Sequence, residues 1–164
     1  MAKRSHTRRT APPSPGLGHG EFVRYPGTRA EVHDLLELLS AVAGDSPDLG
    51  TTGLSLDRTR VTVRWFGELP DAVRAVVDAA PEGLTVVVAP TAFRPGELRT
   101  EAARLAAEHP DVVAAASARP EGDGVELVVP ADVAAAAGGA DRVLAGVTSR
   151  FPLFAAVETL SGGS

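Results

Sequence analysis

The chain reads as an α+β domain, a two-layer sandwich of helices against a mixed β-sheet and ferredoxin-like in character. Three observations predict this. The stretch RVTVRWFGELP at residues 60–70 passes directly from period-two alternation into a helix start. Strand-like and helix-like segments then alternate as far as Glu158. Turn signals of the Asp-Gly type mark hairpins among them, so parallel crossovers and antiparallel neighbours must coexist.

Residues 1–27 hold Pro12, Pro13, Pro15, Pro26 and several glycines, a composition that sustains neither helix nor central strand and predicts a flexible arm. A single α+β domain over 28–160 follows, with its core over 53–158, and then the short tail 161–164. Thr28 and Glu31 form a capping box, and Val32, Leu35, Leu36, Leu39 and Val42 recur at helical spacing until Gly44, predicting a helix over 29–43. Its apolar stripe must be buried, either over an open sheet face or by a partner chain.

After the polar linker 45–52, Leu54 and Leu56, then Val61, Val63 and Trp65, alternate with polar residues and predict two half-buried strands joined by a turn over 57–60. Pro70 suits a first helical position, and Val73, Val76, Val77 and Ala80 make the stripe of a short helix ending before Pro81. Leu84 to Ala89 is apolar except at Thr85, as expected of a strand buried on both faces at the centre of the sheet. Pro95 opens a helix with Leu98, Ala102, Leu105 and Ala106 towards the core and Glu97, Glu101, Arg104 and Glu108 towards water. Strands over 112–118 and 125–129 bracket the hairpin signal RPEGDG. An Ala-rich helix broken at Gly138 and Gly139 leads to a last strand over 153–158. The order is a helix, a hairpin, then αβαββαβ.

Composition limits function. The 164 residues and 44% apolar content suit one globular domain, and the 4% aromatic content means a core of small side chains. The net charge is −5, yet Lys3, Arg4, Arg8 and Arg9 place four positive charges in the first ten residues, so the body is a poor general binder of nucleic acid. Lys3 is the single lysine among 16 basic side chains, which together with the abundant Ala, Gly and Pro points to a high-GC coding bias. Absence of Cys removes disulfides, thiolate nucleophiles and Cys-based zinc sites. The basic start runs into APPSPGLGHG instead of an apolar run, and no segment has the length and apolarity of a membrane span, so a cytoplasmic protein is expected.

The segment GLSLDRTRVTVRWFGELPDAVRAVV, the helix PGELRTEAARLAAEHP and the PEGDG hairpin together resemble an actinobacterial module of prodomain-like regions that precede secreted trypsin-like serine proteases, and its stand-alone homologues. The resemblance covers about residues 53–158. It implies the α+β module and, where a protease accompanies it, a folding-assistant or inhibitory role.

Motif by motif, the chemistry is sparse. Gly16, Gly18 and Gly20 lack the preceding strand and following helix that a phosphate loop needs. His33 and Glu37, with Asp34 adjacent, share a helical turn but lack a further ligand, and the same holds for Glu108, His109 and Asp111. Ser55 and Ser117 have no nucleophile elbow or evident base. Trp65, in phase with Val61 and Val63, belongs to the core. No catalytic group, cofactor or metal is expected. The reading is a non-enzymatic protein-interaction or structural module that contacts another protein or a second copy, through Arg60 and Arg64 on the sheet and Leu35, Leu39 and Val42 on the first helix. Alternatives are a small-ligand regulatory domain, and a nucleic-acid factor acting through Lys3, Arg4, Arg8 and Arg9, whose charges need no fold to meet phosphates.

Overall fold

A computed structural model describes residues 30–158. The elements are α1 (Ala30–Ala43), β1 (Gly53–Leu54), β2 (Arg60–Trp65), α2 (Asp71–Asp78), β3 (Thr85–Pro90), α3 (Pro95–Glu108), β4 (Ala115–Ala118), β5 (Val125–Val129), α4 (Ala131–Ala137), α5 (Ala140–Leu144) and β6 (Leu153–Val157). The α+β character and the element order agree with the sequence pattern. The strands, however, divide between two mixed three-stranded sheets, β1-β2-β3 and β4-β5-β6.

The division exposes a tandem repeat. Each half runs helix, antiparallel hairpin, helical crossover, parallel strand, with the second hairpin strand at the centre of its sheet. Leu54 pairs with Val61 and Ala118 with Val125, so the turns 55–60 and 119–124 have equal length. The amide of Gly50 donates to Arg64 O at 2.8 Å, and that of Ala114 to Val128 O at 2.8 Å. The amides of Thr91 and Glu158 close the two parallel pairs on Trp65 O and Val129 O. Pro70 and Pro130 occupy matching extended positions before α2 and α4.

Every half buries its own core. In the first, Val32, Leu35 and Leu39 of α1 and Val73 of α2 pack on Val61, Val63 and Trp65 of β2. In the second, Leu98, Ala102 and Leu105 of α3 pack on Val125 and Leu127 of β5, with Val113 and Phe151 closing the ends. Burial of each such Leu or Val contributes roughly 2 kcal/mol, which compensates for the scarcity of aromatics. Trp65 is a core residue as its phase requires, and its Nε1 donates to Glu68 O at 3.1 Å.

Three sequence expectations are corrected. α1 covers the Val61 side of β2 and not the Arg60 side, because Val32, Leu35 and Leu39 find their apolar partners there. The apolar run at 84–89 forms an edge strand among the described residues, since β2 takes the centre by pairing with β1 on one side and β3 on the other. The hairpin strand before β2 shrinks to Gly53–Leu54, leaving Leu56 97% exposed in the turn. There Asp57 Oδ1 accepts from Ser55 Oγ at 2.6 Å and from Thr59 Oγ1 at 2.7 Å, which ends the strand early.

The halves are joined by short directional bonds. Arg94 Nε donates to Asp48 Oδ1 at 2.7 Å, and the Gly96 amide donates to Pro47 O at 2.7 Å. Arg99 reaches Leu49 O at 3.1 Å, and the Phe93 amide meets Gly122 O at 3.1 Å. Arg94 also stacks over Phe66. These contacts fix the linker 91–94 and set the loop between α1 and β1 against the start of α3.

Candidate functional site

Alternation along β2 and β3 sorts the first sheet into two faces. Val61, Val63 and Trp65 meet the helices, while Arg60, Thr62 and Arg64 point away from them. The parallel register sets Thr85 beside Arg60, Val87 beside Thr62 and Ala89 beside Arg64, so these join the second face. Among the described residues no helix packs on that face. Arg60, Thr85 and Val87 are exposed, and Val87 is an uncharged apolar side chain between two guanidinium-bearing rows. Arg64 is partly held, with NH1 at 3.4 Å from Thr51 O and its Cβ against Gly50.

Of the expected contact residues, Arg60 and Arg64 therefore share one accessible surface. Leu35 and Leu39 do not: at 5% and 3% exposure they belong to the first core, so they are unavailable to a partner. Val42 stays exposed, with Leu38 one turn before it on α1. The arm residues Lys3, Arg4, Arg8 and Arg9, and Gly16, Gly18 and Gly20, lie outside the described residues.

The other motifs resolve into local roles. His33 Nε2 stands 3.3 Å from Glu37 Oε1 on an exposed helix face. Among the described residues no group of three or more His, Asp or Glu side chains is placed to hold a metal ion. His109 caps α3 through its amide to Leu105 O, where its position meets the negative end of the helix. Ser55 builds the β1–β2 turn, and the hydrogen bonds from Ser55 and then Thr59 hold the Asp57 carboxyl down at about 2.

Two features depart from the sequence expectations. One is a cleft of about 390 Å³ between the halves, lined by Gly50, Thr51, Pro95, Arg99, Ser117 and Arg119 among others. Arg119 is already engaged, stacked over Phe154 and bonded to Asp123 Oδ1 at 2.8 Å. The other is Glu101, expected to face water but only 7% exposed. It occupies the helix position that Leu35 fills in α1, three residues after the first buried side chain of the stripe. Arg104 clamps it through Nε at 3.0 Å and NH2 at 2.7 Å, and Ser149 Oγ donates to it at 2.7 Å. Arg104 also bonds Glu108 and Thr148 O, so α3 holds the loop before β6. The i, i+3 spacing of Glu101 and Arg104 was the available clue.

Arg104 foremost, then Ser149, holds the Glu101 carboxyl at about 2, against 4.5 for the free side chain. A depressed carboxylate stabilises the fold above the unfolded value and ceases to do so as pH falls to the folded one. Glu101→Gln is thus expected to destabilise the chain by about 2 kcal/mol at neutral pH, allowing for screening at the half-exposed Arg104. Melting temperatures of the two chains should converge as pH drops from 4.5 towards 2. A gap that stays constant with pH would remove the charge from this account.

Among the described residues no helix is long and apolar enough to cross a membrane. No protein-family model matches the chain, and neither a curated protein nor a solved structure matches it.

Proposed function

We propose that the chain is a non-enzymatic protein-interaction module that presents the helix-free face of its first sheet. The observation that carries this reading is the arrangement of Arg60, Arg64 and exposed Val87 on one face that no helix covers among the described residues. Two guanidiniums flanking an apolar strip suit a partner surface that combines carboxylates with small apolar side chains, since Arg forms bidentate pairs with carboxylates. The resemblance of residues 53–158 to protease prodomain-like modules agrees in class, because such regions act by contact with another protein.

The test uses the intact chain as bait in native lysate beside a chain carrying Arg60→Glu and Arg64→Glu. The expected result is a partner set that the charge reversal removes. An unchanged set, or none from either chain, overturns the reading.

One observation favours a second reading, a small-ligand regulatory domain. The cleft at the junction, about 390 Å³, falls within the size range of small-molecule sites. A thermal-shift screen over nucleotides, amino acids and metal ions should then find a compound that raises the melting temperature, and Arg99→Ala should abolish the shift. No stabilisation by any of them sinks this reading. Nucleic-acid contact through Lys3, Arg4, Arg8 and Arg9 remains a third proposal, refuted by equal binding of the chain lacking residues 1–20.

A further inference from the structure

We infer that the free edge of β3 pairs with the same strand of a second copy of the chain, joining two first-repeat sheets into one. This rests on the interaction-module reading in its class and assigns one partner to it.

The strand has the composition of a central strand and the position of an edge. Thr85-Val86-Val87-Val88-Ala89-Pro90 carries no charge, yet among the described residues only β2 pairs with it. Val87 and Val88 are 37% and 38% exposed and point to opposite faces, so apolar surface is open on both sides of the edge. Edge strands are ordinarily guarded by charge, bulges or a covering element. The equivalent strand of the second repeat shows such cover. Its crossover is longer and contains α5, which packs against β6, and four of the five β6 residues are partly buried. The first repeat has α2 alone.

Hydrogen bonding dictates how a second strand would add. Thr85 N donates to Thr59 O at 2.8 Å and Thr91 N to Trp65 O at 3.1 Å, so the odd-numbered main-chain groups of β3 face β2. The groups of Val86 and Val88 then face outwards. Pro90 falls on the same outward side, where it offers no N–H and ends the ladder. An antiparallel pairing about a two-fold axis at Val87 satisfies these constraints. Val86 and Val88 exchange N–H···O bonds with Val88 and Val86 of the second copy, and the two Val87 side chains meet on the face that also holds Arg60 and Arg64.

A second copy is the occupant that the charges favour. The uncharged strand does not repel itself, and the β2 arginines of the two copies lie three strand spacings apart, about 14 Å, beyond the Debye length of ~8 Å at physiological salt. Isologous pairing also uses up both edges, so assembly stops at the dimer.

Sedimentation equilibrium on the full chain, from micromolar to millimolar concentration, should show reversible doubling of mass. Val88→Pro removes one outward N–H, and Val87→Lys sets like charges opposite each other on an exposed face; each should raise the dissociation constant at least ~10-fold, the Lys variant keeping the wild-type circular dichroism. Arg60→Glu with Arg64→Glu should still dimerise, which separates this proposal from the open-face reading. A chain that remains monomeric throughout overturns the inference. So does a dimer that Val87→Lys leaves intact. Amide protection of Val86 and Val88 in the monomer would assign the edge to residues 1–29 of the same chain and equally overturn it.

Discussion

Leu127→Ala is expected to destabilise the protein by about 3 kcal/mol, and to do so in one half more than the other. Leu127 has no exposed surface and sits mid-strand in β5, the central strand of the second sheet, among Leu98, Leu105 and Val113. Truncation removes its methyl groups and leaves a cavity that neighbouring strands cannot close without leaving register. Because the first core has no member in common with the second, the loss falls on β4, β5, β6 and α3. Native-state amide exchange should therefore accelerate by ~100-fold in β5, in keeping with 1.4 kcal/mol per decade, and by clearly less in β2. The mirror substitution Val63→Ala, worth about 2 kcal/mol, should invert the pattern. Equal acceleration in both halves after either substitution would mean that the joining bonds make the repeats one cooperative unit.

The contrast between the halves explains which parts of the fold were legible in the sequence. Helices and strands followed from local periodicity, and α3 and β5 have the expected bounds because Pro95 and the alternating Val125, Leu127 and Val129 are local signals. Sheet membership is not local. Continuous apolarity at 84–89 predicts burial on both faces, but the identity of a strand's neighbours depends on pairings across the chain, and among the described residues β3 has only one. The repeat was hidden for a related reason. Val32, Leu35 and Leu39 match Leu98, Glu101 and Leu105 in spacing while differing in chemistry at the middle position, so equivalence appears only once both helices lie on their sheets. Glu101 looked solvent-facing because carboxylates usually are. Its burial depends on Ser149, far along the chain.

Part of the candidate surface is legible in the same local pattern. Arg60 and Arg64 share a face because alternation requires it, and among the described residues no helix covers that face. The first-helix stripe was ambiguous between core and interface, since an apolar stripe has the same spacing in either use. Leu35 and Leu39 went to the core. The junction cleft was invisible because it is assembled from three separated segments: the loop after α1, the start of α3, and the β4–β5 hairpin.

Gly122→Ala is expected to destabilise the chain by about 3 kcal/mol through the join between the repeats, combining backbone strain with overpacking. Gly122 lies in the β4–β5 turn with φ +72°, and an added Cβ would fall 2.5 Å from both Cβ and Cγ2 of Thr91. Thr91 cannot readily yield. It is 8% exposed, and its Oγ1 is bonded to Phe93 O at 2.8 Å, in the linker whose amide meets Gly122 O. Gly67→Ala separates the two contributions, because Gly67 has φ +78° with nothing among the described residues within 4 Å of the added methyl, so it carries only the backbone strain of about 1 kcal/mol. Denaturant melts of both variants should therefore differ by about 2 kcal/mol, the contact term. In a Thr91→Gly background that difference should vanish, since no Cβ or Cγ2 remains to collide with, and the double-mutant cycle would then show coupling of the same size. An undiminished cost for Gly122→Ala without the Thr91 side chain would place the strain in the turn alone, and the join between the repeats would have to rest on Arg94 with Asp48 and on Gly96 with Pro47.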